Sequence, residues 1–560
     1  MGMEFHKKKN FKEAESIYQQ ILQAWPNHGD VLHLLGVVYQ QSGRSEEGIR
    51  SIQKAIAVDD KKAVYHNNLG LIYLETNSLD LAVSSFAKAI ELKGDYPDPY
   101  NNLGDAYYRS NQLPKSIASY QKAISLRPKY AKAHNGLGEA LAKFGNIEDA
   151  ISCFRNALKC DRNFFKALIN LSYLLEMTNQ LADAEKFVDQ ALLVDSRHPS
   201  GCRIKAALLR RRKEYDEALE LLSEVKIPTD SPVVASAIHI EFARLYDQQG
   251  DVDKAYNHYS QANQLHKQCG AVQGVNRERF SQRVERCSQV FSKEWVDSWT
   301  KVEGLAWQQS PVFLVGFPRS GTTLLDQVLD SHPQVQVMEE QPLIRQLINT
   351  LPSYPEALQS FNDQQVVALG QEYFRLAQEK MLLKDGALLI DKLPFNLIHL
   401  GFISRIFPNA KIILALRHPF DVCLSNFMQL YAPNHAMAHF DTLANGAEIY
   451  DKIMRLWQQY GDIFAFDYHA IKYEQVVSDF DGEIKGLLDF LELPWDDAVR
   501  SFAEHARQRG MINTPSYHQV SQELFSSAVY RWQRYQPYLQ TVAPLLDSHA
   551  KSFGYTTSLD

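Results

Sequence analysis

The chain has 560 residues, is 45% apolar and 22% charged, and carries a net charge of −7; that length exceeds a single core, so two or more domains are expected. With no long basic run the balance argues against a dedicated nucleic-acid binder, and with no stretch of 18 apolar residues no membrane span is read. Six cysteines without paired spacing argue against a disulfide framework or a zinc site, so no metal is expected, and a cytoplasmic location fits this and the missing apolar leader.

The first half repeats itself. Gly36, Gly70, Gly104 and Gly138 recur every 34 residues, and Ser172 and Ala206 continue the register. Ala14, Gly48, Ala82, Ser116, Ala150, Ala184 and Ala218 form a second series, and Ala55, Ala89, Ala123, Ala157 and Ala191 a third. Small residues at fixed phase let two helices approach closely, and Tyr18, Phe86, Tyr120 and Phe154 fill the gap beside them. The pattern resembles the tetratricopeptide repeat and implies an α-solenoid whose concave face holds an extended peptide. Gly2 lies 34 residues before Gly36, so the first repeat is expected to be clipped. Near Ile227–Pro232 the register slips by three, and Glu241 to Ala262 reads as a last divergent hairpin. The expected partition is a solenoid over 1–265, a helical linker over 266–310 and a second domain over 311–560.

That domain opens on PVFLVGFPRSGTTLLDQVLDSHPQV, residues 311–335. An apolar strand, a loop bounded by Gly316 and Gly321 and an amphipathic helix make an anion cradle, because backbone N–H groups and the positive helix end converge there. In a nucleotide-hydrolase P-loop a lysine follows the second glycine; here Thr322 stands in its place. The cation is Arg319, a planar fork suited to an oxyanion. Further strands are expected at Gln334–Met338, Ala387–Ile390, Lys411–Leu416 and Ile463–Tyr468, with helical patterns between them. The fold class is therefore an α-solenoid fused to an α/β P-loop-like domain with a central parallel sheet. Ligands bind beyond the carboxyl ends of such strands, where Glu339-Glu340, Asp391-Lys392 and Arg417-His418 stand.

Pro318-Arg319-Ser320-Gly321-Thr322-Thr323-Leu324 resembles the phosphosulfate loop of sulfotransferases that use 3′-phosphoadenosine 5′-phosphosulfate (PAPS). Arg417, with Ser425 eight residues on, is similar to their 3′-phosphate element. The form of the loop resembles the tyrosylprotein and carbohydrate branches. The resemblance implies PAPS as co-substrate, bound by Arg319, Ser320, Gly321, Thr322, Thr323, Arg417 and Ser425. Glu340, 21 residues after Arg319, resembles the catalytic base of the tyrosylprotein branch, although Met338 and Gln341 replace its flanking Gly and Thr. Lys392, in Lys392-Leu-Pro394-Phe395, resembles the lysine that neutralises the leaving group. Ser516, in Ser516-Tyr-His-Gln519-Val520, with Arg531-Trp532 downstream, resembles a further leaving-group and 3′-phosphate segment. Tyr473 resembles a tyrosine near the nucleotide.

The expected activity is sulfuryl transfer to an acceptor hydroxyl, with a protein or peptide tyrosine as partner. A glycan acceptor is the main alternative, because the flank of Glu340 departs from the tyrosine-directed pattern. Another is a peptide-binding scaffold with a degenerate nucleotide module. His399, His418 and His518 are rival bases, since small-molecule sulfotransferases use histidine.

Overall fold

The computed structural model describes residues 1–269, 274–300, 310–508 and 528–557. It divides into two compact units, Met1–Leu208 and Leu209–Asp560. The first is a succession of helix pairs such as Ala63–Glu75 with Leu79–Leu92 and Pro97–Arg109 with Leu113–Leu126. The glycine series sits on the first helix of each pair because the second helix presses a large side chain onto it. A Cβ would meet Phe86 at 2.5 Å on Gly70, Tyr120 at 2.7 Å on Gly104 and Phe154 at 2.7 Å on Gly138. Buried amides join successive pairs: Asn102 Nδ2 donates to Asn67 Oδ1 at 2.9 Å.

The second unit contains five parallel strands, β1 Val312–Gly316, β2 Val335–Glu339, β3 Leu388–Lys392, β4 Lys411–Leu416 and β5 Asp467–Lys472, in the order β2-β3-β1-β4-β5. Alternate residues of β1 and β4 feed two cores, Phe313, Val315, Ile412 and Leu414 on one face and Val312, Leu314, Ile413 and Ala415 on the other. Burial on both faces is why β1, β3 and β4 read as apolar runs, whereas β2, at the edge of the sheet, reads as the alternation Val335, Gln336, Val337. The fifth strand begins later than the sequence suggests. Ile463 closes the Leu443–Ile463 helix, and Phe464 and Phe466 pack against the core. The strand proper is an edge whose Asp467, Tyr468 and Ala470 are exposed, so it carries little apolar signal.

The chain leaves β1 toward β2 and β4 toward β5, in opposite directions. A crevice therefore opens at the carboxyl ends of these two neighbours, the place where open α/β sheets bind ligands. The Pro232–Gln249 and Val252–His266 helices belong to this unit and contribute Ala243 and Tyr259 to its core. Asn263 Nδ2 donates to Phe427 O at 2.8 Å, and Tyr256 stacks on Tyr538. Among the described residues, no helix is long and apolar enough to cross a membrane.

Candidate active site

β1 ends at Gly316 because nothing larger fits: a Cβ there would lie 2.7 Å from Ala415 O and 2.8 Å from Ser320 Oγ. The chain then turns through two left-handed residues, Arg319 (φ 72°) and Gly321 (φ 99°). Gly321 caps the Thr322–Asp330 helix and supplies no side-chain bond to it. The first N–H groups of a helix lack intrahelical acceptors, and its positive end favours an anion. Ser320 is buried and its Oγ has no hydrogen-bond partner among the described residues. A buried polar group without a partner costs about 1–3 kcal/mol, and at a helix N-terminus a bound anion is one group that would satisfy it. Thr322 and Thr323 are buried beside it.

Two arginines converge on this loop. Arg319 Nε donates to Ser425 Oγ at 3.0 Å, and Arg417 Nη1 donates to Arg319 O at 3.3 Å. Arg417 stands just past β4 and Ser425 on the Pro419–Phe427 helix, so residues eight apart in sequence reach the loop from two elements. Arg417 is held by the carboxylate of Asp421 at 3.8 Å, by the carbonyl of Ala528 and by the face of Tyr473 at 5.1 Å. Burial above all, and then the Arg417 and Arg531 cations, hold the Arg319 guanidinium below its ordinary value. This group of cations gains from an anion.

A second cluster stands across β1, at the ends of β2 and β3. Glu340 is left-handed (φ 50°), and its N–H donates to Lys392 O at 2.7 Å. Lys392 is fully buried. Its Nζ lies 3.1 Å from Glu340 Oε1, 3.3 Å from Glu339 Oε1 and 3.2 Å from Asp326 Oδ2. Burial works against its charge, but the carboxylates of Asp326, Glu340 and Glu339 outweigh it and push the ammonium up to about 12. Glu340 is 37% exposed against 13% for Glu339, so Glu340 is the carboxylate of the pair more open to solvent. Asp326 was invisible as a site residue in the sequence. Its one signal is the spacing Thr322 to Asp326, which puts it one helical turn behind the loop.

The remaining candidates are placed as follows. Arg531 Nη2 pairs with the buried carboxylate of Asp247 at 2.6 Å, while its charge reaches Arg319. Trp532 is a core aromatic stacked on His418 and Phe420. Ser516 and His518 lie outside the described residues. His418 is buried against Thr556 O, and His399 against Tyr354. Burial lowers them to about 4 and about 3, so both are neutral and packed away from the loop. Asp391, fully buried, accepts from Tyr373 Oη at 2.9 Å and Asn396 Nδ2 at 3.2 Å; it holds the end of β3 rather than facing a phosphate. Tyr431, also missed in the sequence, donates to Asn426 Oδ1 at 2.6 Å. Asn426 in turn donates to Pro318 O at 2.9 Å, bracing the loop. Among the described residues no group of three or more His, Cys, Asp or Glu could hold a metal.

Residues 311–497 match the model of the sulfotransferase family, and tetratricopeptide-repeat models match 5–70, 70–111, 104–145 and 131–164. An uncharacterized protein of Aquifex aeolicus (strain VF5) is 29% identical over 404 residues, 68% of this chain and 50% of that one. Protein-tyrosine sulfotransferase A of Caenorhabditis elegans is 25% identical over 205 residues, 34% of this chain and 51% of that one. Protein-tyrosine sulfotransferase 1 of Danio rerio is 26% identical over 272 residues, 44% of this chain and 74% of that one. The chain spans about half the length of the first two of these relatives. It joins tetratricopeptide repeats to a C-terminal sulfotransferase-family domain.

Proposed function

We propose that the sheet-containing unit transfers a sulfuryl group from PAPS to a tyrosine hydroxyl of a protein or peptide, with the repeats of residues 1–208 binding the acceptor chain. The observation that carries the donor assignment is the convergence of Arg319, Arg417 and Ser425 on a loop whose buried Ser320 hydroxyl has no partner among the described residues. These residues fit a ligand with two separate anionic ends. Arg319, Ser320, Gly321, Thr322 and Thr323 would hold the phosphosulfate end. Arg417 and Ser425 would hold the 3′-phosphate, with Tyr473 beside the nucleotide and the Arg531 charge behind.

When bound, the donor supplies an electrophilic sulfuryl group and a phosphate leaving group. Glu340 takes the acceptor proton, as a carboxylate within reach of a hydroxyl does in general base catalysis. Lys392 Nζ offsets the charge that collects on the leaving side, and Ser516 is assigned to the same side. The tyrosine acceptor rests on the named relatives and on the affinity of solenoid faces for extended peptides.

Purified protein incubated with radiolabelled PAPS, an acidic tyrosine peptide and an oligosaccharide tests both halves of the reading. Label on the peptide tyrosine is the expected result. Label on the oligosaccharide alone replaces the acceptor, and label on neither, with folded protein, removes the activity.

A further inference from the structure

Lys392 keeps three carboxylates, although one would neutralise it. Glu339 and Glu340 reach it from the end of β2, at 3.3 and 3.1 Å. Asp326 reaches it from the Thr322–Asp330 helix at 3.2 Å and is itself fully buried. Asp391, the neighbour of Lys392 on β3, is bonded to Tyr373 and Asn396 instead. Gln327 Nε2 donates to Asp326 Oδ1 at 3.3 Å, and Asp330, one turn further along, pairs with His505. A buried ammonium that loses its counter-charge is strongly destabilised. When Glu340 takes up a proton it becomes neutral and can no longer serve as that counter-charge. Were Glu340 the essential partner of Lys392, each proton transfer would strand the ammonium in a dry site.

We propose that Asp326 is a positioning residue that fixes the Lys392 ammonium, so that Glu340 is released to accept the proton of the acceptor hydroxyl. This rests on the sulfuryl-transfer reading above. Asp326 is fully buried beside Lys392 and keeps the ammonium paired whichever state Glu340 is in. The same helix carries Thr322 and Thr323 at its start, so one element sets both the anion cradle and the lysine.

The test has a readout that needs no substrate. With lysine labelled at 13Cε, and its Lys392 signal identified by Lys392→Arg, the titration midpoint of Lys392 is expected to fall by at least one pH unit in Asp326→Asn. Asp326→Ser, which leaves room for a water, carries the same expectation should the first variant not fold. Asp326→Glu should keep the midpoint within half a unit. In the kinetic arm kcat falls about tenfold in the neutral variants while KM for the peptide holds. An unmoved lysine midpoint, or an unmoved kcat in the neutral variants, overturns the proposal. If wild-type protein transfers no label, the sulfuryl-transfer reading has failed, and the lysine titration alone judges the role of Asp326 toward Lys392.

Discussion

The repeats and the sheet edge bury small and polar residues for opposite reasons. In the repeats, Gly70 is small because Phe86 leans on it, and the Asn67 and Asn102 amides bond to each other. At the sheet edge Gly316 is small so that the loop can fold against β4, and the buried hydroxyl it leaves room for, on Ser320, has no partner among the described residues. Satisfied polar groups hold a fold together; a buried orphan beside two arginines waits for something else. The comparison teaches that burial alone does not separate structure from function; Tyr18 Oη and Asn101 Oδ1 in the repeats are also without a partner among the described residues, and what sets Ser320 apart is the two arginines beside it.

The largest expected effect lies at the sheet edge. Glu340→Gln should lower kcat by roughly 10²–10⁴, measured with PAPS and the tyrosine peptide, while binding of the desulfated donor stays within twofold. Retained activity would return the base to a histidine or to a neighbour, and the distinction between Glu340 and Glu339 would fall with it. The choice of Glu340 from the sequence rested on its resemblance to the base of the tyrosylprotein branch, and the structure adds that it is the more exposed of the pair.

A pH series sharpens the contrast between structural and functional carboxylates. Burial, against the hydrogen bonds of Tyr373 and Asn396, raises Asp391 to about 7. A carboxyl whose folded value lies above its unfolded one contributes stability at low pH and loses it as pH rises through the folded value. Urea melts should therefore show Asp391→Asn gaining on the wild type by roughly 2–4 kcal/mol between pH 5 and pH 9. A difference independent of pH would mean that Asp391 is ionised throughout.

In the repeats, Gly70→Ala must push Phe86 aside and should cost about 1–3 kcal/mol, read as a lower urea midpoint. Donor-product binding by the sheet edge should not change. If that binding weakened as well, the two regions would not divide packing from ligand capture.

Much of this could be read before folding. The 34-residue period announced the repeats because the pairs obey the same steric demand, β1, β3 and β4 announced themselves because both of their faces are covered, and β2 showed as an alternation of Val335, Gln336 and Val337. β5 did not, since an exposed edge needs no apolar run, and the Phe464-Ala465-Phe466 stretch beside it packs without being a strand. Arg319, Arg417 and Ser425 were legible through a motif, but their mutual contacts were not. Asp326 carried no motif, and the pairing of Arg531 with Asp247 joins residues 284 apart, a separation that no local pattern records.

The central claim is that the loop between β1 and its helix grips the donor through Arg319. Calorimetry with 3′-phosphoadenosine 5′-phosphate tests it most directly, on wild type and on Arg319→Ala. The account predicts one site per chain in the wild type and a loss of about 100-fold or more in the variant, the worth of charge-assisted hydrogen bonds at roughly 3 kcal/mol. Equal binding by both proteins, or none by folded wild type, would contradict it.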